Sequence, residues 1–164
     1  MAVLGPEGVV TEVINYLSTN LGDKLVEVDA RYTEQVVLED VKDWRIADPV
    51  QSGRYPDKTP VGWVICPEMV SMQWGSDYDY FEGDVVVWIL MRDRNSAERL
   101  RRKAYRTALA VWEVLKDGHF SGSVIWQMVS TPPEMDFSEI LSANDNSLVS
   151  DLRVRVHMEA QERA

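Results

Sequence analysis

The stretch Gly83-Asp-Val-Val-Val-Trp-Ile-Leu-Met91, followed by Asn95-Ser-Ala-Glu98 and a helical run to Leu115, decides how this chain folds. Val85 to Met91 has no polar break, which predicts a central strand covered on both faces. Asn95 with Glu98 three residues on has the form of a capping box, with Ser96 as the competing cap. Leu100, Ala104, Ala108, Val111, Trp112 and Leu115 then form one apolar stripe at helical spacing. Asp117-Gly118 ends that helix, glycine being the residue that most easily takes a left-handed cap. Ser123 to Val129 reads as another apolar strand, stopped by Thr131-Pro132-Pro133. The order strand, helix, strand predicts a small α+β domain.

Upstream, Val9, Val10, Val13, Ile14 and Leu17 have helical spacing, so a first helix is expected to begin near Pro6 and Glu7, with an acid at the positive helix end. Leu21 to Val41 reads as a second short helix running into an irregular segment. Residues 48–60 contain three prolines and Gly53, the composition of a flexible loop. Val61–Cys66 and Met69–Trp74 are strand-like, and Pro67 between them predicts a bulge or an edge position. Gly75 to Gly83, bracketed by glycines, reads as the tip of a long hairpin. Downstream, Asp136 to Leu141 reads as a helical turn and Asn144-Asp-Asn-Ser147 as a turn. In the last element Leu152, Val154, Val156 and Met158 alternate with Asp151, Arg153, Arg155, His157 and Glu159, the pattern of a strand with one buried face.

The chain of 164 residues is read as a single domain, 1–164; a domain of that size buries roughly 68–70% of its unfolded surface. Cys66, the sole cysteine, has no intrachain disulfide partner and reads as a small buried hydrophobe. The start, Met1 to Glu7, lacks a basic segment followed by an apolar core, so no signal peptide is expected, and no run is long enough for a membrane span. The formal net charge of −10 argues against long-range attraction to nucleic acid or anionic lipid.

No constellation spells out a reaction. Asp77, Asp79, Glu82 and Asp84 supply closely spaced oxygens, but Phe81 and Glu82 fall where a calcium loop needs an oxygen ligand and a glycine. The tip is therefore read as solvated acid, and Tyr78, Tyr80 and Phe81 make it resemble a contact surface. His119 and His157 show no Cys or His partner for a metal site or a triad. A metal-dependent nuclease is the most plausible enzyme, given acids near strands, yet no acid with a lysine two positions on follows Asp57-Lys58 on a strand. No cofactor or metal is expected. The tryptophans are spread about one per element, which fits core packing. Arg99, Arg102, Lys103 and Arg106 share one helix face, which by base rate is a solvated one; against that, cations are unfavourable near the positive helix end, and an acidic partner surface is the simplest reason to keep them.

The order of pieces is also informative. An N-terminal amphipathic helix precedes a Tyr55-Pro56 loop, a Val61–Cys66 strand and the Val85–Met91 strand. The helix Arg102-Lys-Ala-Tyr-Arg-Thr-Ala-Leu-Ala-Val-Trp-Glu-Val-Leu115, the Gly122-Ser-Val-Ile-Trp126 strand, the Asp136-Phe-Ser138 loop and the alternating last strand follow. In order and texture this resembles the tail terminator and tail-completion proteins of long-tailed, siphovirus- or myovirus-like bacteriophages. The resemblance implies a mixed, mainly antiparallel sheet with the long amphipathic helix and the N-terminal helix packed on it, and a virion structural protein without enzymatic activity, forming a hexameric ring that caps the tail tube, stops its polymerisation and joins tail to head. Its implied partners are other copies of itself, the major tail tube protein and head–neck connector proteins. Genomic DNA would pass through the ring without specific binding, and no membrane is involved. Location in the virion tail or neck, with assembly in the host cytoplasm, follows. A head-side neck or connector protein is the alternative within this class. The expected contact residues are Asp77, Tyr78, Asp79, Tyr80, Phe81 and Glu82 of the tip, facing Arg99, Arg102, Lys103 and Arg106 of a neighbour.

Overall fold

The computed structural model describes residues 6–46, 59–73, 79–117, 120–121, 124–128, 133–143 and 145–162. Two helices, α1 (Pro6–Ala30) and α2 (Ala97–Asp117), pack on a sheet of β1 (Asp43–Arg45), β2 (Val61–Gln73), β3 (Asp79–Asp93), β4 (Phe120–Ser121), β5 (Val124–Met128), β6 (Glu134–Phe137), β7 (Leu141–Ser142) and β8 (Leu148–Glu162). The order is β1-β2-β3-β8-β5-β4, with β6 and β7 also pairing with β8. The β1–β2 pair is parallel and the other pairs are antiparallel. The chain is thus α+β with a mixed, mostly antiparallel sheet.

The core lies between the helices and one face of the sheet. Val85, Val87, Ile89 and Met91 of β3 and Leu152, Val154, Val156 and Met158 of β8 meet Leu100, Ala104, Ala108, Val111 and Leu115 of α2. On the opposite face of β3, Val86 and Leu90 are also buried, which is why Val85–Met91 carries no polar break. Pro67 marks a bulge: the β2–β3 register shifts between Ile65 and Glu68. Opposite it stands Gly83, where an added Cβ would lie 2.3 Å from the Glu68 carbonyl oxygen. A side chain cannot fit there, so the glycine is required by the close approach of two backbones.

Three expectations are corrected. The first helix does not stop near Leu17, and no second short helix follows: α1 continues to Ala30, because Leu21, Leu25 and Val28 prolong the buried stripe. Gly22 does not break it; Asp40 Oδ2 lies 3.1 Å from where a Cβ would stand, so the small residue admits the returning chain. The hairpin tip does not extend to Gly83, since β3 begins at Asp79 and Gln73 pairs with Asp79. Asp136 to Leu141 is not a helical turn; β6 runs to Phe137 and pairs with β8, with Phe137 edge-on to Tyr105 at 4.8 Å.

Ser96 is the helix cap, its Oγ accepting the Arg99 N–H at 3.1 Å. The turn at Asp145–Ser147 forms as expected, with Asn146 left-handed at φ 62°. Trp63 is buried, and Trp44, Trp88 and Trp112 are partly buried against the core clusters. Cys66 is half-buried, and burial first, then the Asp84 charge, pushes its thiol pKa up, which suits an inert thiol. The expected loop at 48–60 apart from Thr59 and Pro60, the cap at Gly118, His119, Trp74 and the tip at 74–78 lie outside the described residues.

Candidate functional site

The two expected contact elements are α2's basic residues and the acidic-aromatic segment before β3's core. At the α2 N-terminus, Asp93 accepts the N–H groups of Asn95 and Ser96 at 2.9 and 3.1 Å. The same carboxylate takes Arg99 Nε at 2.6 Å and Arg99 Nη2 at 2.9 Å, and Lys103 Nζ at 3.2 Å. The Arg99 hydrogen bond, aided against burial by those N–H groups and Lys103, holds the Asp93 pKa far below the usual carboxylate range. This explains cations near a positive helix end: a buried acid sits between them and the helix terminus.

One turn on, Arg102 pairs with Glu98 at 2.6 Å and reaches Glu34, beyond the end of α1, at 2.5 Å. After another turn, Arg106 Nη1 pairs with Asp29 at 2.8 Å and donates to the Glu34 carbonyl oxygen at 2.8 Å. Its guanidinium lies 3.9 Å over the Tyr32 ring. Arg31 closes the set with a forked contact to Glu113 at 2.7 and 2.9 Å.

The basic stripe is therefore largely an internal strap-holder. Lys103 and Arg106 are 9% and 5% exposed, so the expectation that they face a neighbouring subunit is corrected. Arg99 and Arg102 keep about half-exposed side chains, but each is committed to an internal carboxylate. On the acidic side, Asp77 and Tyr78 lie outside the described residues. Asp79, Tyr80, Phe81 and Glu82 belong to β3, paired with Gln73, Met72, Ser71 and Val70 of β2. Glu82 bonds to His157 across the sheet. The partners of His157 were invisible in sequence because they lie 73 and 75 residues away; its position opposite Asp84 in the β3–β8 register brings them together.

An open polar cleft of about 1010 Å³ lies between the chain before β1 and the start of α2, with Asp40, Lys42, Arg92, Arg94, Lys103 and Asp145 in its wall. Its charges are balanced in sign, and Asp40 Oδ1 is buried there with no hydrogen-bond partner among the described residues.

The helix-free sheet face is the other extended surface. Its rows follow the register: Arg45–Trp63–Trp88–Arg153–Asp136, then Ile65–Val86–Arg155–Glu134, then Glu68–Asp84–His157. Arg153 stacks over Trp88 at 4.1 Å, whose Nε1 donates to Asp151. Although Glu134 and Asp136 stand directly across from Arg155 and Arg153, those arginines lean toward Asp84 at 3.8 Å and Asp151 at 3.6 Å. The acids of β6 stay exposed at the sheet's edge.

Among the described residues no three His, Cys, Asp or Glu side chains converge as a metal site, and no helix is long and apolar enough to cross a membrane. No protein-family model matches the chain. No curated protein matches it either. What the geometry offers is surfaces: a helix face consumed by internal ion pairs, a charge-balanced cleft, and a ladder of charged and aromatic side chains on the sheet face opposite the helices.

Proposed function

We propose that this protein is a virion structural protein of the tail-terminator kind, acting as a ring that caps the tail tube, stops its growth and joins the tail to the head–neck assembly. The observation that carries this reading is the division of the sheet. Both helices pack on one face, while on the other the exposed Arg153 and Arg155 of β8 and Glu134 and Asp136 of β6 lie beside the partly buried Trp88 of β3. A subunit that works by contact needs a broad surface on a rigid frame, and a closed ring needs unlike surfaces that meet head to tail. The internal pairing of Arg102, Lys103 and Arg106 moves the favoured contact surface from α2 to this sheet face. Net acidity suits a conduit whose wall does not grip passing phosphate.

The proposed partners are further copies of the chain, the tail tube protein and the connector proteins of the neck. Loss of the protein during phage assembly is expected to leave overlong tails unattached to filled heads, seen by electron microscopy. Tails of normal length beside unattached heads would favour a head-side connector instead, and intact particles would contradict both.

A further inference from the structure

His157 stands between two carboxylates of the adjacent strand. Its Nδ1 lies 2.8 Å from Asp84 Oδ1 and its Nε2 lies 2.6 Å from Glu82 Oε1. A neutral imidazole has a single N–H and satisfies one of these oxygens; its other nitrogen then turns a lone pair toward a negative charge. Both contacts are favourable together only for the imidazolium, which donates twice.

Position gives this contact leverage. The described core residues of β3 begin at Val85 and those of β8 end at Met158, yet the strands stay paired out to Tyr80 and Gln161. His157 bridges them in the row next to Val85 and Val156 of the core. The bulge at Pro67–Glu68 adjoins the same row, where Glu68 pairs with Asp84 and Asp84 with His157, and the next row outward joins Met69, Gly83 and Met158.

We propose that His157 is a proton-dependent latch, closing the outer ends of β3 and β8 on each other when charged and loosening them when it loses its proton. Among the described residues the titratable and charged groups around it are Glu82 and Asp84 from β3, Arg155 and Glu159 from β8, Glu68 and Cys66 from β2, and Glu134 of β6 beside Arg155. The β5 partners, Gln127 and Met128, carry no titratable group. Carboxylates outnumber the Arg155 guanidinium here, so the surroundings favour the positive ring. The Glu82 hydrogen bond, followed by that of Asp84, raises the His157 pKa above the ordinary 6.5 against the opposing effect of burial. A raised value means the latch contributes fully below pH 6.5 and is lost as pH climbs through the folded-state value. The inference is independent of any role in a virion.

The test is an NMR titration of the imidazole signals, assigned with His157→Gln, together with hydrogen exchange of segments 79–84 and 157–162 corrected for the intrinsic effect of pH. The expected results are a His157 midpoint above 6.5, a fall in that midpoint in Glu82→Gln, and a loss of protection across it in the wild type but not in His157→Gln. A midpoint at or below 6.5, or the same loss of protection in His157→Gln, would overturn the latch. Glu82→Gln, which keeps the ring and the strand, gives the answer through the midpoint alone if His157→Gln does not fold.

Discussion

Arg106 of α2 and Asp29 in the last turn of α1 form a buried ion pair at 2.8 Å. Asp29 also accepts the N–H groups of Val36 and Val37 at 3.2 Å each. One carboxylate thus ties a helix end, a returning loop and a second helix. Burial alone would raise the Asp29 pKa, but the Arg106 hydrogen bond and the two backbone N–H groups outweigh it and hold the value down.

Truncating either partner leaves a buried charge unpaired. Asp29→Ala and Arg106→Ala are each expected to lower stability by about 3–5 kcal/mol, read from urea unfolding. Arg106→Lys is not a conservative change, because an ammonium lacks the planar fork that serves Asp29 and the Glu34 carbonyl while stacking on Tyr32. A loss below about 1 kcal/mol in Asp29→Ala would show that the pair contributes no more than a surface contact.

Asp93 makes a distinct prediction about acid. Its folded-state pKa is depressed below 3.8, so the stability it contributes is present above that value and is lost as pH falls toward the folded one. The Asp93→Asn variant is expected to lose stability at neutral pH and to show a shallower acid limb than wild type. Parallel acid limbs in pH-dependent unfolding would contradict this.

The glycines separate by what an added methyl meets. At Gly83 it strikes the Glu68 carbonyl at 2.3 Å and Met69 Cα at 2.9 Å, backbone that cannot step aside. Gly83→Ala is expected to cost about 3 kcal/mol or more, at the upper end of overpacking penalties. At Gly22 the neighbour is the Asp40 carboxylate at 3.1 Å, a side chain able to shift, while alanine gains about 0.5–1 kcal/mol of helix preference. Gly22→Ala is expected to be neutral or stabilising; similar losses at both sites in thermal unfolding would overturn the distinction.

Val37 holds a left-handed backbone at φ 55° with its side chain 73% exposed. A β-branched residue is strained there by about 1–2 kcal/mol, and little burial is lost on replacing it. Val37→Asn is expected to stabilise the protein by about 0.5–1 kcal/mol. Destabilisation in the same unfolding assay would mean that Val37 packs more than its exposure indicates.

Elements with a strong local pattern were legible. The unbroken Val85–Met91 run, the alternation of Leu152 to Met158 and the Pro67 bulge each state their burial in their own residues. The misread elements depend on distant chain. Leu21 to Val41 reads as a separate short helix until Leu21, Leu25 and Val28 are seen to continue one buried stripe, and Asp136 looks like a turn until Met135 and Phe137 find the core. The candidate site was legible only as charge. Arg102 and Arg106 meet acids 68 and 77 residues earlier, and periodicity carries no trace of that pairing.

The most direct measurement of the proposed role is the length of tail tubes grown in vitro from a tail tube protein of a long-tailed bacteriophage, imaged by negative-stain electron microscopy. Adding the purified protein is expected to shorten the tubes in proportion to its concentration and to place a ring of density at one end. Reversal of sheet-face charges, with Arg153→Glu and Arg155→Glu together, is expected to abolish that effect. Tubes of unchanged length with bare ends at saturating wild-type protein would contradict the terminator reading.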